Sequence, residues 1–278
     1  MTVKAYAKVN LTLEILARRC DGYHDLRSVV LPVSLADTLE IAPSDEITSD
    51  GAFANDLCLK AAVTLAQATG TAEGAAIHVE KRIPVGGGLG GGSADAAAVL
   101  RALNEMWRIN MPLDELARLG AQVGSDVPAL VLGGAVLMEG RGEKVSRFDF
   151  PARRLEMVLA NPGVESSTRD VYAAYSGRLQ DKSDILYNIR QALHGGSIDE
   201  IASAMVNDLQ ASAVRLYPEI GKALTDLSAA GAKGAMVSGS GSTVYGLVPN
   251  EAQGLETAAR MEAMGYWARS VHVNCPVM

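Results

Sequence analysis

The chain lacks the features that mark several protein classes. Its three cysteines, Cys20, Cys58 and Cys275, are odd in number and far apart, which excludes a disulfide framework and paired zinc-site spacing and leaves ordinary reduced thiols. No run of about 18 apolar residues occurs and the first residues hold no apolar signal core, so a cytoplasmic protein without a membrane span is expected. Positive charge is scarce: the net charge is −7, and no basic run exceeds a pair such as Arg18-Arg19 or Arg153-Arg154. A nucleic-acid surface is therefore not expected, and any anionic ligand must be held locally. Repeats are missing, and low complexity is confined to one place.

That place is residues 84–94, PVGGGLGGGSA, where six of the seven positions from Gly86 to Gly92 are glycine and an alanine-rich helical segment follows. Glycine admits positive φ and leaves no side chain in the way, so successive backbone N–H groups can converge on one anion. A helix beginning near Ser93 adds unpaired N–H groups and its positive dipole end. The stretch reads as a phosphate cradle formed by Pro84, Val85, Gly86, Gly87, Gly88, Leu89, Gly90, Gly91, Gly92, Ser93 and Ala94. It is no P-loop, because Gly92 rather than a lysine precedes Ser93. Gly86, Gly88 and Gly91 satisfy G-x-G-x-x-G, but a dinucleotide-binding unit needs a strand after its helix. Here a helix from Ala94 to Trp107 leads to Met111-Pro112 and another helical stretch, Asp114 to Gln122. A flexible linker is the remaining alternative; linkers are polar and serine-rich, whereas this loop joins the strand-like Ile77 to Lys81 to an apolar helix.

With 278 residues and 48% hydrophobic composition, one large domain or two intimate ones can bury a core. Strands are expected at Val3 to Val9, Leu11 to Leu16 (Leu11, Leu13 and Ile15 on one face), Ser28 to Val33 and Thr38 to Ile41. Asn55 or Asp56 can cap a helix that Gly70 stops. Gly134 to Glu139 and Leu155 to Ala160 read as strands, and the irregular Phe148 to Ala152 between them sets a boundary, giving domains 1–150 and 151–278. Helices follow at Ser167 to Tyr175, Asp184 to Leu193, Asp199 to Asn207, Pro218 to Ala230 and Glu251 to Met264, with strands at Ala235 to Val237, Thr243 to Val248 and Ala268 to Val273. The pattern implies an α+β fold of two mixed domains with a cleft between them.

A cradle without its own lysine needs charge from elsewhere. Lys8 is a lone cation in an apolar strand; if Val9 and Leu11 face the core, Lys8 and Asn10 share the other face, and a solvated lysine on an edge strand is the alternative. Asp126, in GSDVP before the apolar Val127 to Leu132, is a candidate base or a helix cap. Tyr23 and His24, in a polar turn, offer a stacking face and ring nitrogens able to read a nucleobase edge, or are plain surface residues. Ser238 to Ser242 (SGSGS) can contact a ligand through backbone amides or merely turn a hairpin.

AYAKVNLTL, PVGGGLGGGSADAA, GSDVP and SGSGS, in this order over nearly the whole chain, resemble the family of small-molecule kinases that includes galactokinase, homoserine kinase and mevalonate kinase. DGYHDL and the doubled glycine triplet are similar to the branch whose acceptor is a cytidine diphosphate-linked polyol of non-mevalonate isoprenoid synthesis. The resemblance implies two domains, ATP as co-substrate with its phosphates on the glycine loop, Mg2+ with unassigned ligands, and the acceptor in the cleft. It implies Asp126 as base with Lys8 as its partner, Tyr23 and His24 on the cytosine, Asn10 near the reacting hydroxyl, and Gly239, Ser240 and Gly241 on the substrate. A monomer or weak homodimer acting on a small molecule is expected. Two departures stand out: Ala94 follows Ser93 where relatives often carry a second serine, and Asp56-Leu57 stands where Asn-Leu is common. A homoserine- or mevalonate-type kinase and a non-catalytic nucleotide sensor are the alternatives.

Overall fold

The structure, a computed structural model, describes residues 1–50, 56–151, 154–177 and 183–273; Asn55, Ala152, Arg153 and Cys275 lie outside the described residues. In chain order the first elements are β1 (Thr2–Arg18), β2 (His24–Ser44), β3 (Ile47–Ser49), α1 (Leu57–Thr69), β4 (Gly74–Glu80), α2 (Gly91–Met106), α3 (Leu113–Gly120), α4 (Val127–Leu132), β5 (Val136–Gly140) and β6 (Lys144–Arg147). They are followed by β7 (Glu156–Asn161), α5 (Thr168–Ala173), α6 (Ser183–Gly195), α7 (Ile198–Ala204), β8 (Val206–Asn207), α8 (Gln210–Leu216), α9 (Pro218–Ala229), β9 (Lys233–Val237), β10 (Val244–Val248), α10 (Glu251–Ala263) and β11 (Trp267–His272). A seven-stranded sheet runs β3-β4-β2-β1-β8, with β5 joining β2 to β6, and a four-stranded sheet runs β11-β7-β10-β9. The fold is α+β with two mixed domains, each built around one of the two sheets, as the alternation of elements implies.

The long antiparallel ladder of β1 and β2 positions the site. Four separate strands were expected there; two continuous ones form, because bulges absorb the irregular pattern instead of ending the pairing. The register shifts between Tyr6 and Lys8 and again between Asn10 and Thr12. A bulge changes which face the following residues share. Ala7, Val9 and Leu11 accordingly join a cluster with Met157 and Leu159 of β7 and Tyr245 and Leu247 of β10, whereas Leu13 and Ile15 join the cluster containing α1, α2 and α4. Leu11, Leu13 and Ile15 thus do not share one core. Tyr245, fully buried, donates its hydroxyl to the Asn10 carbonyl at 2.7 Å and ties the two sheets together.

Helix ends follow their caps. Asp56 accepts from the N–H groups of Cys58 and Leu59 at 2.8 and 3.2 Å, and Gly70 closes α1 at φ +69°. The glycine-loop helix starts at Gly91, ahead of its expected beginning at Ala94, since Gly90 at φ +69° already turns the chain into it. The helix expected to run to Asn207 stops at Ala204, because Asn207 donates to the carbonyls of Val237 and Gly239, both at 2.8 Å, and Val206–Asn207 pair in parallel with β1 as β8. β3, β6 and α8 were not foreseen; each is short. His24 opens β2 and is not part of the preceding turn.

The two glycine loops abut. Ser238 Oγ donates to the Gly88 carbonyl at 3.0 Å and the Thr243 N–H to the Gly87 carbonyl at 3.0 Å. SGSGS does turn the antiparallel β9–β10 pair, and it touches the first loop as well. Gly88 adopts φ +75°, and a methyl group there would stand 2.3 Å from the Ser238 carbonyl oxygen and 2.7 Å from that of Gly241. Gly88→Ala should therefore lower stability by at least about 2 kcal/mol, read from the denaturant midpoint. Gly92→Ala, whose nearest neighbour would be Leu57 Cδ1 at 3.5 Å, should change the midpoint far less.

Candidate active site

Lys8 is 4% exposed; β8 pairs with β1 only at Thr12 and Leu13, and beside Lys8 the glycine loop covers the strand instead, so a solvated lysine on an edge strand does not apply. Its ammonium donates to Asn10 Oδ1 at 2.7 Å and lies 3.3 Å from Asp126 Oδ2. Asn10 in turn donates to Ser28 Oγ at 2.8 Å, and Ser28 donates to the Thr12 carbonyl, a buried chain that fixes the amide's orientation. The Lys8 N–H donates to the Leu89 carbonyl at 2.9 Å, stitching the strand to the glycine loop.

The loop wraps around this lysine. Gly86, Gly88 and Gly90 all take positive φ, near +70°. A methyl group on Gly90 would come within 3.0 Å of Lys8 Cγ and 3.1 Å of Cε. One on Gly239 would stand 3.4 Å from Asn10 Oδ1 and 3.5 Å from Lys8 Nζ, so the second glycine loop closes the other side. Gly91, Gly92 and Ser93 form the first turn of α2, where N–H groups have no helical partner. The Ala94 N–H is committed to the Gly90 carbonyl at 2.8 Å and its side chain is buried. Leu89 is wholly buried and Val85 is 55% exposed, while Pro84 is half-buried. Ser240 is held by Thr168 at 2.9 Å and its carbonyl by Ser166 at 2.7 Å.

Asp126 immediately precedes α4, yet its side chain makes no capping hydrogen bond. The carboxylate turns toward Lys8 and remains one-third exposed, open to a substrate. Lys8, Asn10, Asp126, the glycine loop and Gly239 thus converge from four distant parts of the chain. Tyr23 and His24 are placed against other side chains. The Arg141 guanidinium sits over the Tyr23 ring at 5.1 Å, and Tyr23 is 56% exposed. His24 faces Tyr172 at 5.5 Å and the edge of Tyr175 at 6.3 Å.

Burial, then the charge of Arg18, holds His24 below the ordinary histidine range. Burial, then the charge of Asp126, pushes the Tyr172 phenol up, so the ring that meets His24 also lies within the field of Asp126. Tyr172, Tyr175, Arg141 and Ser28 were not foreseen from sequence. Only a helix was expected around the two tyrosines, and nothing local in the sequence marks them as neighbours of His24.

Among the described residues no group of three or more His, Cys, Asp or Glu side chains is arranged to hold a metal ion. No described helix is long and apolar enough to cross a membrane.

Comparison with known proteins agrees with this geometry. The family GHMP kinases N terminal domain matches residues 56–134, and GHMP kinases C terminal matches residues 189–266. The chain is 40% identical to 4-diphosphocytidyl-2-C-methyl-D-erythritol kinase of Pelotomaculum thermopropionicum, covering 94% of this chain and 93% of the relative. It is also 40% identical to the protein of that name from Exiguobacterium sibiricum, over 90% and 89%. A crystal structure of 4-(cytidine 5'-diphospho)-2C-methyl-D-erythritol kinase superposes with a TM-score of 0.84 at 33% identity, covering 98% of this chain and 99% of that one. Homoserine kinase from Cytophaga hutchinsonii shares the fold at 18% identity and a TM-score of 0.74. On these matches, spread over both halves of the molecule, the chain belongs to the GHMP kinases.

Proposed function

We propose that this chain uses ATP to phosphorylate the 2-hydroxyl of 4-diphosphocytidyl-2-C-methyl-D-erythritol, giving the 2-phosphate and ADP, a step of non-mevalonate isoprenoid synthesis. The names carried by its near full-length relatives support the acceptor. The observation that carries the reading is the buried Lys8 ammonium, wrapped by Gly90 and 3.3 Å from Asp126. A cation in contact with both the glycine loop and a one-third-exposed carboxylate supports a phosphoryl-transfer reading.

In this reading the triphosphate lies on the amides of Gly86 to Ser93. Asp126 takes the proton of the acceptor hydroxyl as its oxygen attacks the γ-phosphorus; the bond to the β-phosphate oxygen breaks, and ADP leaves with that electron pair. Phosphoryl transfer passes through a loose transition state, so alignment and charge stabilisation do most of the work. Lys8 serves both: it orients Asp126 and offsets negative charge on the moving phosphoryl group. Asn10, locked by Ser28, positions the hydroxyl. Tyr23 and His24 hold the cytosine, with Tyr172 and Tyr175 completing an aromatic wall, and Gly239 to Gly241 line the diphosphate side. His24, kept neutral, can donate from one ring nitrogen and accept at the other, which suits the cytosine edge.

Mg2+, a small hard cation that commonly binds through substrate phosphates, would be held mainly by the nucleotide phosphates and would offset their charge. A cytoplasmic monomer or weak homodimer with its division at residue 150, between β6 and β7, completes the proposal.

A coupled ADP-release assay with cytidine diphosphate methylerythritol, followed by phosphorus NMR of the product, should show one new phosphate monoester; homoserine or mevalonate turned over faster would replace this acceptor. Asp126→Asn should cut kcat roughly 10²–10⁴-fold while ATP binding, measured by calorimetry, stays near wild type. Substantial residual turnover would remove Asp126 from the chemistry. His24→Ala should raise the acceptor's KM well above any change in that of ATP. In the intact protein the acceptor's KM should stay level at neutral pH and rise only below the ordinary histidine range, because burial and then Arg18 hold His24 down and it gains its proton late; an acid limb within or above that range contradicts the neutral reader.

A further inference from the structure

Beneath the glycine loop lies a charged cluster that phosphoryl transfer does not use. Asp37 of β2 is fully buried; one carboxylate oxygen accepts from the N–H groups of Arg82 and Ile83, and the other pairs with Lys81. Lys81 also reaches Asp95 Oδ2 on α2 at 2.6 Å. Lys81 precedes the loop and Asp95 follows it, so their contact closes the loop across its two ends. A methyl group on Gly91 would lie 3.4 Å from Lys81 Nζ, which puts the ammonium directly under the first turn of α2. The remaining Asp95 oxygen, Oδ1, is buried and receives no hydrogen bond.

We propose that Asp95 is a positioning residue of the phosphate cradle, acting through Lys81 and Asp37 to tie the loop's ends together and hold the charge beneath it at zero. This rests on the reading of Gly86 to Ser93 as the ATP phosphate site. Two buried carboxylates against one partly buried ammonium leave one negative charge too many, and a proton removes it. Burial, and the charge and hydrogen bonding of Asp37 against the opposing pull of Lys81, push Asp95 up to about 7. Oδ1 is the oxygen with room for the proton.

The groups that face Asp95 are Lys81, Asp37 from β2, and Cys58 with its cap Asp56 from α1. Burial works against the Lys81 charge, but its hydrogen bonds to both carboxylates outweigh it and keep the ammonium protonated. The Cys58 thiol is pushed up by burial and then by Asp95 itself, and stays neutral. Ionised Asp95 would place an unbalanced negative charge under the triphosphate, whereas asparagine at this position reproduces the neutral form.

The test compares the wild type with Asp95→Asn and Asp95→Ala. From pH 6.5 to 8.5 the wild-type KM for ATP should rise about three- to tenfold relative to Asp95→Asn, with kcat moving in parallel in both. Asp95→Ala, which loses the tie, should raise that KM about tenfold at every pH while kcat changes less. The same pH slope in Asp95→Asn, or a fall in kcat without a change in KM, overturns the inference.

A second readout needs no nucleotide. Because the folded-state value of Asp95 lies above its unfolded value of 3.8, the stability it contributes is whole below that value and is lost as pH rises to about 7. The gain in Tm of Asp95→Asn over wild type should widen across that window and level off above it; a constant gap counts against the cluster. A chain that binds no ATP by calorimetry would sink the functional reading and the cradle's role together, whereas ATP binding with an unaltered Asp95→Asn slope sinks this inference alone.

Discussion

A lysine ammonium cannot be buried in a sheet unless other groups replace the water it gives up, and that requirement organises this molecule. Lys8 keeps its charge inside through Asn10, Asp126 and the enclosing backbone of the glycine loop. Each of these supports requires another. Asn10 must be turned the right way, which Ser28 and Thr12 enforce from within the β1–β2 ladder. Asp126 must be free of its helix, and it makes no cap hydrogen bond there. The loop must approach the lysine stem closely, and glycine at position 90, at positive φ and where an added methyl group would come within 3.0 Å of that stem, permits it. The geometry of the candidate site is therefore the solution to a burial problem, and the residues that solve it are those that would handle the phosphoryl group in the proposed function.

The same logic explains why the cradle does without the lysine of a P-loop. Backbone amides give direction but no full charge, and a cation within the loop would need its own compensation. Supplying it from β1 lets one ammonium serve the loop, the carboxylate and the amide of Asn10 together. The second glycine loop is then needed to close the far side, and the two loops meet so tightly at Gly88 that no side chain fits. Because Gly88 and Ser238 belong to different halves of the chain, the cleft is held in register by backbone contact, backed by the Tyr245 hydroxyl on the Asn10 carbonyl.

The parts of this arrangement that are local in sequence were legible there. The glycine run, the caps at Asp56 and Gly70, and the alternation that placed Lys8 and Asn10 on one face depend on neighbours a few residues away. What was missed depends on distant partners. In sequence β1 divides at the polar Asn10, and β2 between Val33 and Thr38, across Ser34 and Asp37; yet Asp37 is buried to receive Lys81 and the backbone of Arg82 and Ile83. Asn207 read as the end of a helix, although its amide is wanted by Val237 and Gly239. Tyr172 and Tyr175 carried no signal because His24, the ring they face, is some 150 residues earlier.

The placement of the aromatic residues bears on specificity. Tyr172 stacks near His24 on one side and lies in the field of Asp126 on the other, so the group that would recognise the base also borders the group that would take the proton. An acceptor without a base would leave that ring and the exposed Tyr23 unpaired and would not be drawn toward Asp126 by stacking. Binding energy from the remote base is thereby available to align the hydroxyl, which is how a site relying on position rather than strong chemistry gains rate. In the proposed function the glycine loops would fix where the phosphate goes, and the tyrosines would decide which alcohol meets it.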